Sequence, residues 1–360
     1  MKKNLFCILI FFSFSLINTS FCIVNNNFSW TQSKYLNGDE FVNEKGLQRR
    51  AYVWESSTNP FTELILSWNA FRPKKGRFLF KVSVKHNYWS SWYPMAEWKP
   101  NSQQTFVNTR SPFVHAKHVR VELKKGRKAT AFKVVAIAEN GASLKDLKAL
   151  FVCLSNESKF SSKNSNLNLP TLRIKNVPRQ SQMVVDHPRF RDICSPTSLS
   201  MLLGYFGKNL KKSWAFGKDL VGGIKNFVPD FAKKVHDDCY LDIYGNWILN
   251  VAQAFDSAKG DVFFRVEKLN DFNELYSYLK RNIPVAVSVR GNLRGAVKSY
   301  DNGHFIVVVG WDNQKKAVLC VDPAFPTSLK TARAYRLRDF LNAWGTSRNL
   351  SYISIPKQSS

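Results

Sequence analysis

Between residues 60 and 154 the chain repeats short runs in which every second side chain is apolar. The clearest run extends from Phe78 to Val84. A period of two gives each face of a β-strand its own set of side chains. Runs of similar character predict further strands at 62–68, 119–123, 131–138 and 149–154. The pattern therefore predicts an all-β, sandwich-like module over residues 30–154. The aromatic-rich segment 89–98 within it is predicted to be core, with a sugar-binding platform as the alternative.

After residue 170 the apolar positions recur every three to four residues, as they do on helices. Amphipathic helices are predicted from just after Cys194 to a stop at Gly207, over 247–258, and over 271–281 with Asp271 near the N-cap. Strands are predicted at 285–289, 305–311 and 317–321. Residues 155–170 are rich in Ser and Asn and are predicted to be a linker. The predicted fold class is thus multidomain, with the β module followed by an α+β domain over 171–360.

The first residues have the pattern of a secretory signal. Lys2 and Lys3 precede an apolar stretch from Leu5 to Ile17, which is too short to span a membrane well. We expect a cleaved signal peptide over residues 1–22 and a secreted or periplasmic protein. A lipid anchor at Cys22 is the alternative. No later segment is apolar enough to predict a transmembrane segment.

The formal net charge is +27, and the basic residues are distributed over both halves of the chain. One interpretation is a Lys-rich surface that keeps an exported protein soluble. The other is attraction to an anionic partner such as a cell-envelope polymer. No nucleic-acid-binding fingerprint is present, so no specific nucleic acid is expected as a partner. The spacing of Cys and His residues fits no metal site, and no cofactor is predicted.

Cys194 is the strongest candidate for chemistry. It stands at the predicted start of a helix, where the helix dipole favours the thiolate, which is the nucleophilic form. Such a nucleophile needs a base, and His304 is the histidine in the most demanding context, between Gly303 and an apolar strand. The alternative for His304 is a structural side chain.

Asp322 is predicted to approach His304 through a hairpin. Residues 312–316 are predicted to form a turn between two apolar strands, and folding these strands back places Asp322 within a few residues of His304. A carboxylate there would fix the tautomer of the imidazole. The alternative for Asp322 is a simple turn position before Pro323.

These residues lie in segments that resemble the C39-like cysteine peptidases, which have a papain-like fold. The resembling segments occur in the family's order over about 175–355: Val177–Met183, Cys194–Ser198, Gly245–Trp247, Asn282–Ser288, Gly303–His304 and Val321–Ala324. The resemblance implies that Cys194 is the nucleophile, His304 the base and Asp322 the orienting residue. It also implies that Gln182 donates to the oxyanion, with Gln180 as the weaker candidate. Ser195 departs from the family, which more often has Gly there.

The leading hypothesis is a secreted cysteine peptidase that cleaves a peptide or other amide bond through a Cys-His-Asp triad and a thioester. The alternatives are a non-catalytic envelope- or polysaccharide-binding protein on a C39-like scaffold, and a thiol acyltransferase or amidase. A peptide or protein substrate is the expected partner. If Cys194 is a free nucleophile, Cys153, Cys239 and Cys320 allow at most one disulfide.

Overall fold

The structure is a computed structural model, and it describes residues 27–42, 50–108, 111–161, 168–212, 220–238 and 242–357. The predicted signal peptide (1–22), Cys239 and residues 162–167 of the predicted linker lie outside these ranges. In the part of the chain that the structure describes, no helix is both long and apolar enough to cross a membrane.

The described residues between Ser29 and Ser155 form two antiparallel sheets, and the predicted alternating runs form strands of both. The strands are β1 (Ser29–Tyr35), β2 (Ala51–Phe61), β3 (Glu63–Ala70), β4 (Arg77–Lys85), β5 (Tyr93–Trp98), β6 (Gln103–Thr105), β7 (Val107–Asn108), β8 (Val114–Lys117), β9 (Arg120–Leu123), β10 (Ala129–Glu139) and β11 (Leu147–Ser155). One sheet has the order β1-β11-β3-β9-β8-β7, and the other has the order β2-β10-β4-β5-β6. Their inner faces meet where Trp68 of β3 stacks on Phe80 of β4, with ring centroids 4.3 Å apart.

From residue 168 onward, the residues that the structure describes form a third sheet with five α-helices. The helices are α1 (Cys194–Asn209), α2 (Leu220–Val235), α3 (Trp247–Ser257), α4 (Phe272–Lys280) and α5 (Leu337–Thr346). The strands are β12 (Leu172–Arg173), β13 (Val262–Lys268), β14 (Val285–Gly291), β15 (Tyr300–Asp312), β16 (Ala317–Val321), β17 (Ala332–Arg336) and β18 (Leu350–Pro356). The sheet order is β13-β18-β14-β15-β16-β17, and β12 pairs with β15 on the side.

Helix α1 is buried on all sides, so the prediction of an amphipathic helix was wrong. Every residue from Ser195 to Gly207 is buried, and the helix continues past Gly207. Two of its serine side chains hydrogen-bond to strands of the third sheet. Ser195 Oγ pairs with the Tyr352 hydroxyl at 3.0 Å, and Ser198 Oγ donates to the Phe305 carbonyl at 3.2 Å. These hydrogen bonds remove the cost of burying the hydroxyl groups. The helix is therefore a fixed central element, with its first residue, Cys194, at its exposed end.

Side chains of the first half cover the free edge of the third sheet. β13 is an edge strand, and its outward backbone groups at alternate residues are hydrogen-bonded by side chains instead of by a strand. Asn69 donates to the Phe264 carbonyl (2.6 Å) and accepts from the Phe264 N–H (2.8 Å), while Ser67 accepts from the Val266 N–H (3.3 Å). An uncovered edge is a site for unwanted pairing, so this contact both joins the halves and protects the sheet.

A buried polar cluster forms a second contact between the halves. The Asp237 carboxylate accepts hydrogen bonds from Thr105 Oγ1 and, at 2.7 Å, from Asn246 Nδ2. Asn246 is also the N-cap of α3, where its Oδ1 accepts from the Leu249 N–H. The start of α3 is thereby tied to the β6 strand of the first half. One continuous apolar core runs through both halves, and their division into two domains stays a prediction.

Candidate active site

The Cys194 thiol lies where the backbone of two elements converges. Cys194 is the first residue of α1, and its Sγ accepts hydrogen bonds from the N–H groups of Ser195 and Phe305. Phe305 belongs to β15, so the thiol stands between the start of the helix and the central strand of the sheet. Its side chain is partly exposed toward a cleft.

His304 connects the thiol to a carboxylate. Its side chain hydrogen-bonds Cys194, and its Nε2 lies 2.8 Å from Asp322 Oδ1. Because Nε2 is taken by the carboxylate, Nδ1 is the nitrogen left for the thiol. The ring also stacks on Tyr300, with centroids 4.1 Å apart. Two partners and a stacked ring leave the imidazole little freedom of orientation.

Asp322 is reached through the predicted hairpin. β15 and β16 pair antiparallel with Val307 opposite Val321, so Asp322 follows directly at the end of β16. Its carboxylate is fully buried and accepts four hydrogen bonds. The donors are His304, the Tyr300 hydroxyl at 2.8 Å, the Tyr335 hydroxyl at 2.6 Å and the Ala324 N–H at 3.0 Å. Neither tyrosine was predicted from the sequence as a partner of Asp322. Tyr335 lies on β17, which was not foreseen beside β16, and Tyr300 lies at the start of β15, before the predicted strand 305–311.

The arrangement favours a thiolate–imidazolium pair. Burial acts to raise the pKa of Cys194, but the hydrogen bond and charge of His304, together with the two backbone donors, lower that pKa below its ordinary value. Burial likewise acts to lower the pKa of His304, whereas the Asp322 charge and hydrogen bond outweigh it and raise that pKa. Both shifts favour the charged forms, which together constitute an activated nucleophile.

The thiol opens into a cleft between the two halves of the chain. The cavity has a volume of about 1470 Å³ and includes Cys194, His304 and Gln182 among its lining residues. The first half also contributes to it, through residues near Glu63, Arg120 and the loop 123–127. Trp247 lines the cleft, with the Arg120 guanidinium 5.6 Å from its ring centroid.

Residues 174–352, which include this whole constellation, match the Peptidase_C39 like family. This region belongs to that family. The chain is also similar to two solved structures. A C39-like peptidase from Bacillus anthracis is 17% identical with a TM-score of 0.37, covering 53% of this chain and 100% of its own. Xylellain, a cysteine protease from Xylella fastidiosa, is 12% identical with a TM-score of 0.33, covering 55% of this chain and 92% of its own. No match is found among curated proteins.

Within the C39-like region, Gln182 lies in the cleft but its amide is already engaged. It belongs to a single helical turn, Gln182–Val184, and its Nε2 donates to the carbonyls of Phe190 (3.0 Å) and Arg191 (2.9 Å). Donation to an oxyanion therefore requires that one of these bonds be shared or released. Gln180, the weaker candidate, is buried and donates instead to the Ser181 carbonyl.

Cys153, Cys320 and the aromatic-rich segment 89–98 do not line the cleft. Cys153 and Cys320 are buried free thiols, and burial raises the pKa of both, that of Cys153 to about 11. In the predicted aromatic platform, Tyr93 and Trp98 are core side chains, while Trp92 is exposed. Over the ranges that the structure describes, no group of His, Cys, Asp and Glu side chains is arranged to hold a metal ion.

Proposed function

We propose that this chain is a secreted cysteine peptidase that cleaves a peptide or other amide bond. The observation that carries the proposal is the hydrogen-bonded chain from Cys194 through His304 to Asp322, with the thiol facing an open cleft. Membership of residues 174–352 in the Peptidase_C39 like family supports the same chemistry. A binding protein without catalysis has no need for a buried carboxylate that orients the histidine beside a thiol.

The reaction proceeds in two steps. The Cys194 thiolate attacks the carbonyl carbon, and the oxyanion is stabilised by the backbone N–H of Cys194 itself, which as the first residue of α1 has no partner within the helix. His304 then gives its proton to the departing amine as the C–N bond breaks, leaving a thioester. In the second step His304 takes a proton from water, the hydroxide adds to the thioester carbonyl, and the acid departs as Cys194 regains its thiolate. Asp322 keeps the imidazole oriented throughout.

Selective alkylation tests the nucleophile. Iodoacetamide at pH 6 is expected to modify Cys194 much faster than Cys153 or Cys320, because the pKa of Cys194 is lowered and the pKa values of the other two are raised. Peptide mass mapping after partial modification identifies the labelled thiol. Equal labelling of the three thiols contradicts an activated Cys194.

Hydrolysis of a peptide library tests the reaction itself. Cys194→Ser is expected to lower kcat/KM by about 10³-fold or more, since the nucleophile is removed while the fold is kept. Cys320→Ser is the matched control at a thiol outside the cleft, with far-UV circular dichroism to check its folding. Full activity of Cys194→Ser rejects the proposal, and transfer of the acyl group to an added amine assigns acyltransferase activity to the same thioester.

A further inference from the structure

The loop that joins β9 to β10 lines the cleft although it belongs to the first half of the chain. Residues 123–127, Leu-Lys-Lys-Gly-Arg, border the same cavity as Cys194 and His304. The backbone of this loop is ordered by hydrogen bonds from the Leu123 N–H to the Thr62 carbonyl (2.8 Å) and from the Lys124 N–H to the Phe113 carbonyl (3.0 Å). Gly126 adopts a φ of +81°, which completes the tight turn. The loop therefore holds its basic side chains at a defined place beside the cleft.

The charges of the cleft do not balance. Ten Lys and Arg residues but only five Asp and Glu residues line it. The acidic side chains are mostly neutralised: Glu157, for example, pairs with Lys268 at 2.6 Å and with Arg348 at 3.0 Å. Among the residues that the structure describes, six of the ten basic side chains that line the cleft have no carboxylate within ion-pair distance, and they come from both halves: Lys124, Lys125, Arg127, Arg191, Arg290 and Lys298.

The size and position of the cleft favour an extended chain over a small molecule. A volume of about 1470 Å³ exceeds the roughly 300–1,000 Å³ of most small-molecule sites. The cavity is continuous with the thiol, so the bound chain must present an amide carbonyl there. An unbalanced basic lining attracts acidic groups, and it does so most strongly inside a concave surface.

We propose that the loop 123–127 of the first half forms a wall of the substrate cleft and selects acidic peptides through Lys124 and Lys125. This inference rests on the proposed function, because it assigns the class of substrate that reaches Cys194. Acidic side chains on either side of the scissile bond would contact the basic wall while the carbonyl lies at the thiol. Part of the +27 net charge of the chain would then serve recognition.

Binding to an inactive protein tests the inference without requiring turnover. The probe is a fluorescein-labelled peptide of Glu and Gly, compared with the same peptide carrying Gln in place of Glu, on full-length Cys194→Ala. Fluorescence anisotropy is expected to show tighter binding of the Glu peptide, weakened by salt as charges are screened. The double substitution Lys124→Glu with Lys125→Glu is expected to weaken that binding at least about tenfold.

The chain provides a matched control in its own sequence. Residues 74–77 repeat the order Lys-Lys-Gly-Arg, and Lys74 and Lys75 are exposed but outside the cleft. Lys74→Glu with Lys75→Glu makes the same change in net charge and is expected to alter binding of the Glu peptide less than about twofold. Equal weakening by both double variants, or equal binding of Glu and Gln peptides, overturns the inference.

Two further outcomes separate this inference from the proposed function. One outcome is that the Glu peptide binds as expected, but Cys194 is not selectively alkylated and the protein cleaves no peptide. The role of the loop 123–127 in binding then stands, and the peptidase proposal fails. If peptides are cleaved with no preference for Glu and the loop substitutions leave kcat/KM unchanged, the peptidase proposal stands and this inference fails. Binding of heparin that the Glu peptide cannot displace assigns the basic wall to a polysaccharide and also overturns it.

Discussion

Asp322 determines the protonation state of the candidate site, because its carboxylate is buried away from water but fully hydrogen-bonded. Its Oδ2 accepts from the Tyr300 and Tyr335 hydroxyls, and its Oδ1 accepts from the Ala324 N–H and from His304 Nε2. An uncompensated buried carboxylate would instead be protonated. The pKa of Asp322 is accordingly lowered despite its burial, and its charge stabilises the protonated form of His304.

Asp322→Asn is expected to lower kcat/KM at least about tenfold and to change its pH dependence. In the parent protein Asp322, together with Cys194, outweighs the effect of burial and raises the pKa of His304 to about 10, so the imidazolium persists on the alkaline side. Without the carboxylate that pKa falls toward its ordinary value of 6.5. Activity on the alkaline side should then be lost at lower pH, because the thiolate–imidazolium pair loses its proton earlier.

A pH profile of kcat/KM between pH 5 and about 10.5 measures this effect. Asp230→Asn, at an exposed position on α2, is the control and should leave the profile unchanged. An alkaline limb that stays in place in Asp322→Asn contradicts the role given to Asp322.

At the scale of elements, the sequence predicted the helices and strands that have clear periodicity and capping residues, and it missed those that lack them. The 317–321 strand was predicted with its observed bounds, and Asp271 caps α4 by accepting from the Glu274 N–H as expected. Helix α2 was missed because Gly222, Gly223 and Pro229 lie inside it, and these residues disfavour helices in isolation. Strand β2 was missed because its second half contains Ser56, Ser57, Asn59 and Pro60, residue types that are also typical of loops.

Gly310→Ala is expected to destabilise the pairing of β12 with β15. A Cβ at Gly310 would lie 2.3 Å from the Leu172 carbonyl oxygen and 3.0 Å from Arg173 Cα, so the backbone of β12 would have to move. Overpacking of this kind costs about 1–3 kcal/mol in the free energy of unfolding. Urea denaturation measures it, with Gly38→Ala as the control because a Cβ there meets nothing within 4 Å. Equal stability of the two variants is inconsistent with close packing of β12.

At the scale of the whole molecule, the two halves depend on each other for their polar groups. Asn69 and Ser67 satisfy the β13 edge, and Asp237 accepts from Thr105 across the same junction. Lys268 lies between Glu63 of the first half and Glu157, with each carboxylate 2.6 Å from its Nζ. Separation of the halves would leave these buried groups without partners, so we expect the described parts to unfold as one unit.

Asn69→Ala tests this dependence. The substitution leaves both the N–H and the carbonyl of Phe264 buried without a partner, at a cost of about 1–3 kcal/mol for each group. The free energy of unfolding should fall while a single transition is retained, as followed by tryptophan fluorescence and by far-UV circular dichroism. Asn342→Ala, at an exposed position on α5, is the control and should stay within about 0.5 kcal/mol of the parent. Two separate transitions, of which only one moves, would show that the halves are independent.

The sequence by itself determined the β-rich character of the first half, the helix that starts at Cys194, and the hairpin that brings Asp322 to His304. These features depend on periodicity, on capping and turn residues and on neighbouring segments, all of which are local. Only the tertiary structure decided that α1 is buried on every side, that Tyr300 and Tyr335 compensate Asp322, and that the loop 123–127 borders the cleft. Each of these contacts joins segments that are distant in the chain or on separate elements, and their meeting depends on how sheets pack, which no local pattern encodes.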